Sequence, residues 1–480
     1  MSLKIYNTES RKKEIFKPIE PGLLKIYVCG VTVYDQVHLG HAFSGIYYDM
    51  IINYFKHFHN YDVLYIRNIT DVGHLVNDAD NGEDKIEKRA KERKIHPMEL
   101  VEKYCHLMWE DFDKLLMDRP NIEPRATGHI IEMQDWIKKI IDNGYAYEVN
   151  GNVYYNISKF KDYGKFANRD LEKLEENTRF ENDSNKKNIQ DFALWIKATP
   201  EHIMQWNSPW GNGYPGWHIE CSVMSTKYLG DSFDIHGGGI EHLFPHHQNE
   251  IAQYYAYYKK KVVNYWVHNA MLSVEGRKMG KSLGNFITIK DFLKTHEPRA
   301  LRHLITSAHY RKPQNYTETA INDSENVIKK LDLFTKRLSA ITSNNNYNLV
   351  KPILELTINN FKNSMDDDFN SSAAWASIFY LIKEVNKLID EAKLSKAESR
   401  EILNFLNKIN LVFKVFSFEN KKENNLKHTI PEEEILKEIE KRNILRKNKK
   451  WQEADLIRVK LQKKGVILSD NTTETSWYYE

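Results

Sequence analysis

An α/β fold with a doubly wound parallel sheet, followed by a run of helices, is predicted by three observations. Leu24-Lys25-Ile26-Tyr27-Val28 is an apolar, β-branched and aromatic run that leads through a turn, Cys29 to His41, into apolar residues at helical spacing from Ala42 to Phe58. The same strand-then-turn pattern returns at Val63-Leu64-Tyr65-Ile66, at Ser232 to His236 before Gly237-Gly238-Gly239, and at Val262 to His268. Downstream the period changes: Val327, Ile328, Leu331, Phe334 and Leu338, then Ile378, Phe379, Leu381 and Ile382, recur at helical spacing around an Asn344-Asn345-Asn346 turn.

In chain order, residues 1–115 form the first half of a nucleotide-binding domain. A polar helix-and-hairpin insertion follows over 116–205, including the charged segment Glu175 to Asn188. Residues 206–275 return to the sheet. A lysine-bearing loop and connector occupy 276–320, a helix bundle 321–425, and a small, basic, helical domain 426–480.

Length and composition agree. A chain of 480 residues, 41% hydrophobic and 28% charged, can bury several cores. No long uncharged apolar run suits a bilayer and no signal pattern opens the chain, so a cytoplasmic protein without a membrane partner is expected. Three cysteines, Cys29, Cys105 and Cys221, make a disulfide framework improbable and favour metal or reactive roles. Net charge is only +3, but Lys437 to Lys464 holds eleven Lys/Arg against four Asp/Glu. Trp451 lies among them, and Trp477, Tyr478 and Tyr479 follow. Basic charge interleaved with rings suits RNA, although Ile435, Leu436, Ile439 and Leu445 also mark an amphipathic helix whose wet face would carry charge anyway.

The turn from Cys29 to His41 carries the first chemical signal. A helix N-terminus offers unpaired N–H groups and a positive dipole end, so a strand, a glycine-containing turn and a helix form a phosphate cradle. Gly30 and Gly40 let the backbone approach a nucleotide, and His38 and His41 would sit over its phosphates. The second signal is Lys278-Met279-Gly280-Lys281-Ser282. Two lysines among glycines make a cationic loop suited to closing on a polyphosphate. The third is a metal set. His246 and Glu250, four apart after Pro245, project from one helix face; with Cys29 and Cys221 they give a chemically sensible zinc site. Spacing alone leaves both cysteines equally readable as buried structural residues.

His38-Leu39-Gly40-His41 and Lys278 to Ser282 resemble the HIGH and KMSKS signatures of class I aminoacyl-tRNA synthetases. The resemblance sharpens to the cysteinyl-tRNA synthetase family through Cys29 to Asp35, Asn68-Ile69-Thr70-Asp71, Gly216-Trp217-His218-Ile219-Glu220-Cys221-Ser222 and His236 to Gly239. It continues in Phe244-Pro245-His246-His247-Gln248-Asn249-Glu250 and Met365-Asp366-Asp367-Asp368-Phe369-Asn370. It implies a Rossmann-like catalytic domain that activates L-cysteine with ATP and magnesium and transfers it to tRNA(Cys), acting as a monomer. It also implies a tRNA-binding helix bundle and a C-terminal anticodon-recognition domain. His38, His41, Lys278 and Lys281 would be catalytic, with Gly30, Gly40 and Lys281 on ATP. Thr70, Trp217 and His236 would line the cysteine pocket, and Cys29, Cys221, His246 and Glu250 would hold one zinc. His242 and His247 stay outside that metal set.

Zinc would answer a selectivity problem. Shape discrimination between cysteine and serine is worth only ~1–3 kcal/mol, whereas a ratio of ~10⁴ needs about 5.4 kcal/mol. An ion that grips sulfur supplies the difference, so no editing domain is expected. Four departures from the family pattern stand out: Gly280 for serine, Val31 for proline, Phe43 for arginine, and Gly73 to Glu83 interposed before Asp84-Lys85-Ile86. Two rival readings exist. One is a ligase that transfers activated cysteine to an amino sugar; such relatives lack the tRNA-binding tail. The other is a non-catalytic RNA-binding relative, which should have lost a lysine or histidine of the ATP motifs; none is lost here.

Overall fold

The computed structural model describes residues 2–76, 82–169, 185–280, 283–345, 347–418, 432–448, 450–462, 464, 466–470 and 475–479. They divide into two units: residues 1–331, 356–378 and 405–416, and residues 332–355, 379–404 and 417–480.

In the first unit a short antiparallel hairpin, β1 (Lys4–Asn7) with β2 (Lys12–Ile15), precedes β3 (Leu23–Thr32) and α1 (Leu39–Phe58). Next comes β4 (Asp62–Thr70), then α2 (Lys85–Arg93), α3 (Pro97–Lys114) and α4 (Ile130–Asp142). An antiparallel sheet follows, in the order β5 (Ala146–Val149), β6 (Asn152–Tyr155), β7 (Phe192–Lys197), β8 (Gly213–Pro215). The chain then re-enters the central sheet through α5 (Trp217–Leu229), β9 (Phe233–Gly239), α6 (His246–Tyr258) and β10 (Val263–Asn269).

The central sheet has the order β10-β9-β3-β4, and every neighbour pair is parallel. Its strands read as near-continuous buried runs, as strands covered on both faces must; all seven residues of β9 are buried. From β3 the chain leaves to one side through α1 and β4, while β9 lies on the other side. The carboxyl ends of β3 and β9 therefore flank the switch point where such sheets bind ligands. Helix α1 is fastened across it: Tyr48 Oη donates to Val267 O at 2.8 Å and accepts from Gly238 N at 2.6 Å. A side chain at Gly237 would place its Cβ 2.4 Å from the Tyr48 ring, so the glycine allows the close approach.

Three boundaries differ from the sequence reading. Strand β3 runs past Val28 to Thr32, so Cys29 and Gly30 lie within the strand and not at its end. Strand β4 absorbs Asn68-Ile69-Thr70, because these residues continue the ladder with Val31 and Thr32. The inserted sheet extends beyond residue 205, since Gly213–Pro215 pairs with Phe192–Lys197. Most of the charged segment Glu175 to Asn188 lies outside the described residues.

After β10 come β11 (Leu272–Val274), β12 (Arg277–Lys278) and β13 (Gln314–Tyr316), which form a small sheet in the order β12-β11-β13. Helices α7 (Ile289–Phe292) and α8 (Pro298–Thr306) lie between β12 and β13. The Met365–Asn370 segment proves to be a clasp. Asp366 Oδ1 accepts from Tyr54 Oη and His59 Nε2, both at 2.7 Å, and Asp368 Oδ1 accepts from Tyr6 N at 2.8 Å and Tyr310 Oη at 2.7 Å.

Four helices, α9 (Glu318–Ser339), α10 (Val350–Met365), α11 (Ser371–Asp390) and α12 (Lys396–Phe413), bear out the helical periodicity over 321–418. In the second unit Glu398 Oε1 accepts from Leu349 N at 3.1 Å and so caps the start of α10. The C-terminal residues form α13 (Glu432–Lys447), α14 (Trp451–Gln462) and an antiparallel hairpin, β14 (Val466–Asp470) with β15 (Thr475–Tyr479). This corrects the all-helical expectation: Val466-Ile467-Leu468 and Trp477-Tyr478-Tyr479 are β-branched and aromatic runs that pair as strands. Trp477 packs on the core of Ile435, Ile439, Leu461, Val466 and Leu468, whereas Trp451 is 56% exposed. Among the described residues no helix is long and apolar enough to cross a membrane.

Candidate active site

The crevice begins where β3 gives way to α1. His38 is the N-cap of α1: its Nδ1 accepts from Gly40 N at 3.1 Å, and His41 Nδ1 accepts from His38 N at 3.3 Å. Each ring accepts at Nδ1, so each carries its proton on Nε2. The rings stack at 3.8 Å between centroids. Burial, then the neighbouring His38 and His242, push the His41 imidazole well below its usual range, leaving it a neutral N–H donor. A Cβ on Gly40 would lie 2.9 Å from the His38 ring and 3.4 Å from the Met279 side chain, so the residue is small for a steric reason.

The lysine-bearing loop is tied to this turn. Leu39 N donates to Ile287 O at 3.1 Å and Ile289 N to Val37 O at 3.0 Å. Asn285 braces the loop from inside, accepting from Gly280 N at 3.0 Å and donating to Lys278 O at 3.2 Å. Lys278 is exposed on β12. Lys281 and Ser282 lie outside the described residues.

The predicted metal set converges. Donor atoms of Cys29, Cys221, His246 and Glu250 all lie within 4.8 Å of one another, drawn from β3, α5 and α6. The two sulfurs are 4.0 Å apart, and His246 Nε2 is 3.3 Å from Glu250 Oε1. His246 and Glu250 share one face of α6, as their spacing requires. A second set, Cys29, His236, His247 and Glu250, satisfies the same criterion, with Cys29 Sγ 3.1 Å from His247 Nε2. The two sets share Cys29 and Glu250, so His247, set aside in the sequence, is an alternative donor.

The chemistry of the first set fits a soft divalent cation: two sulfurs, one imidazole and one carboxylate, in a buried place. Burial, reinforced by Cys221 and Glu250, drives the Cys29 thiol well above its usual range, and burial raises Cys221 too. Thiolates at this position call for a neighbouring positive charge. Outer partners orient both imidazoles: His246 Nδ1 is 2.9 Å from His218 Nδ1, and His247 Nδ1 is 2.7 Å from His268 Nε2.

The expected pocket residues surround this centre. Thr70 Oγ1 donates to buried Glu220 Oε2 at 2.9 Å and accepts from Asn68 Nδ2 at 3.1 Å. Asn68 also holds Gly30, accepting from its N–H at 2.8 Å; a Cβ on Gly30 would fall 1.6 Å from Asn68 O, so only glycine fits. The Trp217 ring lies 4.2 Å from that of His246. His236 is fully buried; its Nε2 lies 2.8 Å from Glu250 Oε2 and its ring stacks on Trp266. It therefore stands behind Glu250 and supports it. Asn68 and Glu220 carry roles that sequence reasoning quoted only inside motifs, and His74, stacked on Trp217, was missed altogether. No sequence signal pointed to the Asn68–Gly30 contact, which joins residues 38 positions apart.

Comparison with known proteins places these features in a family. Residues 15–326 match the family described as tRNA synthetases class I (C) catalytic domain, and residues 360–417 match the DALR domain. A protein named cysteine–tRNA ligase from Chlorobium chlorochromatii is 43% identical, covering 99% of this chain and 99% of the relative. One from Chlorobaculum tepidum is 42% identical with the same coverage of both. Among solved structures, an Agrobacterium radiobacter LeuRS–tRNA–LeuAMS complex has a TM-score of 0.59 at 13% identity, covering 83% of this chain and 85% of the other, which shows a shared fold.

Proposed function

The chain belongs to the cysteine–tRNA ligase family of class I aminoacyl-tRNA synthetases, and from that premise we propose how its residues divide the work. The enzyme activates L-cysteine with ATP to cysteinyl-adenylate and transfers the cysteinyl group to the 3′ end of tRNA(Cys). The observation that carries the residue assignment is the convergence of Cys29, Cys221, His246 and Glu250 at the switch point of the sheet, beside the His38–His41 turn.

The cysteine carboxylate is the nucleophile on the ATP α-phosphate. With a free pKa of ~3.3–3.7 it is ionised at neutral pH, so the protein supplies position and charge, not a general base. The Nε2–H groups of His38 and His41 donate to phosphate oxygens, and the N-terminus of α1 adds its dipole. Gly30 and Gly40, expected beside the nucleotide, are small for packing, since a Cβ there would meet Asn68 O and the His38 ring. Lys278 and Lys281 bring charge to the phosphates as the loop braced by Asn285 closes, and magnesium accompanies the pyrophosphate. Thr70 and Trp217 line the amino-acid pocket, while His236 holds Glu250 from behind. A ribose hydroxyl of the terminal adenosine, the 2′ oxygen in most class I families, then attacks the adenylate.

A zinc ion held by Cys29, Cys221, His246 and Glu250 would supply Lewis acidity that favours the substrate thiolate over the serine hydroxyl. The first donor set is preferred over the second because it contains both sulfurs, the donors zinc favours most. The helix bundle and the basic C-terminal residues take the tRNA, with anticodon recognition at the latter; the DALR match favours tRNA over an amino-sugar acceptor.

The test combines metal analysis with ATP–pyrophosphate exchange. Purified protein should hold about one zinc per chain, Cys221→Ser and His246→Asn should fall to about a tenth of that, and His247→Asn should retain it. Exchange should favour cysteine over serine by ~10⁴. Protein without stoichiometric metal, or equal exchange with serine, overturns the reading. Zinc lost from His247→Asn but kept in His246→Asn transfers the assignment to the second set.

A further inference from the structure

We infer that His74 is a positioning residue for the cysteine pocket, acting by holding the Trp217 ring at a fixed tilt; this rests on the proposed reading that Trp217 lines that pocket. His74 lies in the segment that interrupts the family pattern after Asp71. The neck of that segment is a short ladder: Lys85 N donates to His74 O and Val76 N to Glu83 O, both at 3.0 Å. Asp84 locks it, accepting from Gly73 N at 2.8 Å with one oxygen and from Ile86 N at 2.7 Å with the other, so a single carboxylate closes the neck and caps α2. Gly73 has φ +77°, and its Cβ would stand 2.4 Å from Pro215 O; the neck is thus pressed against the strand that leads into Trp217.

The His74 side chain is held in its own plane at both nitrogens. Nε2 is 2.7 Å from Lys85 Nζ and Nδ1 is 2.6 Å from Thr32 Oγ1. Lysine only donates, so Nε2 accepts and the proton sits on Nδ1, directed at Thr32. Two in-plane bonds leave a ring face for packing, and that face meets Trp217 at 4.0 Å between centroids and 12° between planes. Trp217 is half-buried and opens α5; the Gly216 N-cap before it makes no side-chain capping bond. The indole also lies 4.2 Å from His246. A tilt of the indole would therefore alter the wall beside the proposed sulfur site. Thr32 belongs to the strand that carries Cys29, so one short chain of contacts joins the neck, the strand and the pocket wall.

A structural spacer and a positioning residue predict different kinetics. His74→Ala should raise KM for cysteine about three- to tenfold, the range an aromatic pair is worth, while kcat and KM for ATP stay within about twofold and bound zinc is unchanged. His74→Phe, which restores a flat ring, should bring KM for cysteine back to within about twofold of the parent. Lys85→Met, which removes one in-plane bond and leaves the ring, should raise it about two- to threefold and serves if the alanine variant does not fold. Unchanged KM for cysteine in His74→Ala, parallel loss of cysteine and ATP affinity, or failure of the phenylalanine variant to rescue each overturns the inference. Trp217→Ala separates the two levels: if it leaves KM for cysteine unchanged, the pocket assignment itself has failed, whereas a rise there without one in His74→Ala sinks only the role of His74.

Discussion

Asp368→Asn isolates one half of a buried carboxylate. In the parent, Oδ1 accepts from Tyr6 N at 2.8 Å and Tyr310 Oη at 2.7 Å, while Oδ2 takes Arg311 Nε at 2.8 Å and Nη2 at 2.7 Å. Asparagine keeps the Oδ1 acceptor and tolerates the φ of +64° at this position. It replaces Oδ2 with an amide that donates toward a guanidinium that also donates. Charge-assisted bonds of this kind are worth about 1.5–3 kcal/mol. The carboxylate is fully buried while the Arg311 side chain is 32% exposed and can rehydrate, so the net loss should be about 2 kcal/mol, a fall of about 3 °C in Tm for a unit of this size.

The pH dependence checks the mechanism. Burial alone would raise the Asp368 carboxyl, but bonds from His309, Tyr6 and Tyr310 and the Arg311 charge outweigh it and hold the group below the usual carboxylate range. A depressed folded-state value gives stability that is present above the unfolded pKa of about 3.9 and lost as pH falls through the folded value. The gap between parent and variant should therefore be full at pH 7 and narrow in acid, as read by thermal melts across that range. A variant that melts with the parent at pH 7, or a gap that stays constant into acid, would refute the assignment of the stability to the Asp368 carboxylate and its partners His309 and Arg311.

Two further predictions concern the lysine-bearing loop and His303, one of several buried histidines of the first unit. Lys281→Ala should slow ATP–pyrophosphate exchange at least about tenfold, a loss of about 1.4 kcal/mol of transition-state stabilisation, with zinc content unchanged; loss of zinc would mean that the phosphate and metal sites are not independent. Burial pushes His303 down to about 4, so the parent should lose stability as pH falls from about 6.5 toward that value. His303→Gln should lose about 3 kcal/mol less over the same window in urea titrations, and equal slopes for the two proteins would count against it.

The clasp at Asp366 and Asp368 illustrates how far a motif can be read without coordinates. Met365 to Asn370 was recognisable by resemblance, yet nothing in its spelling says that it grips Tyr54, His59, Tyr6 and Tyr310, which lie far away along the chain. Trp477 teaches the reverse lesson. Its neighbours suggested an RNA platform, but β pairing turns it onto the small C-terminal core.

Local pattern determined the strand–turn–helix from Leu24 to Phe58, the shared face of His246 and Glu250, and the helical run after 318, because backbone periodicity, capping and turn chemistry act over a few residues. The sheet order decided the rest. Only the β10-β9-β3-β4 arrangement brings Cys29 and Cys221 within 4.0 Å, sets His247 as a rival to His246, moves His236 behind Glu250, and lays His74 flat against Trp217. Such contacts join residues whose separation along the chain carries no period, so their free energy enters only when the strands pack.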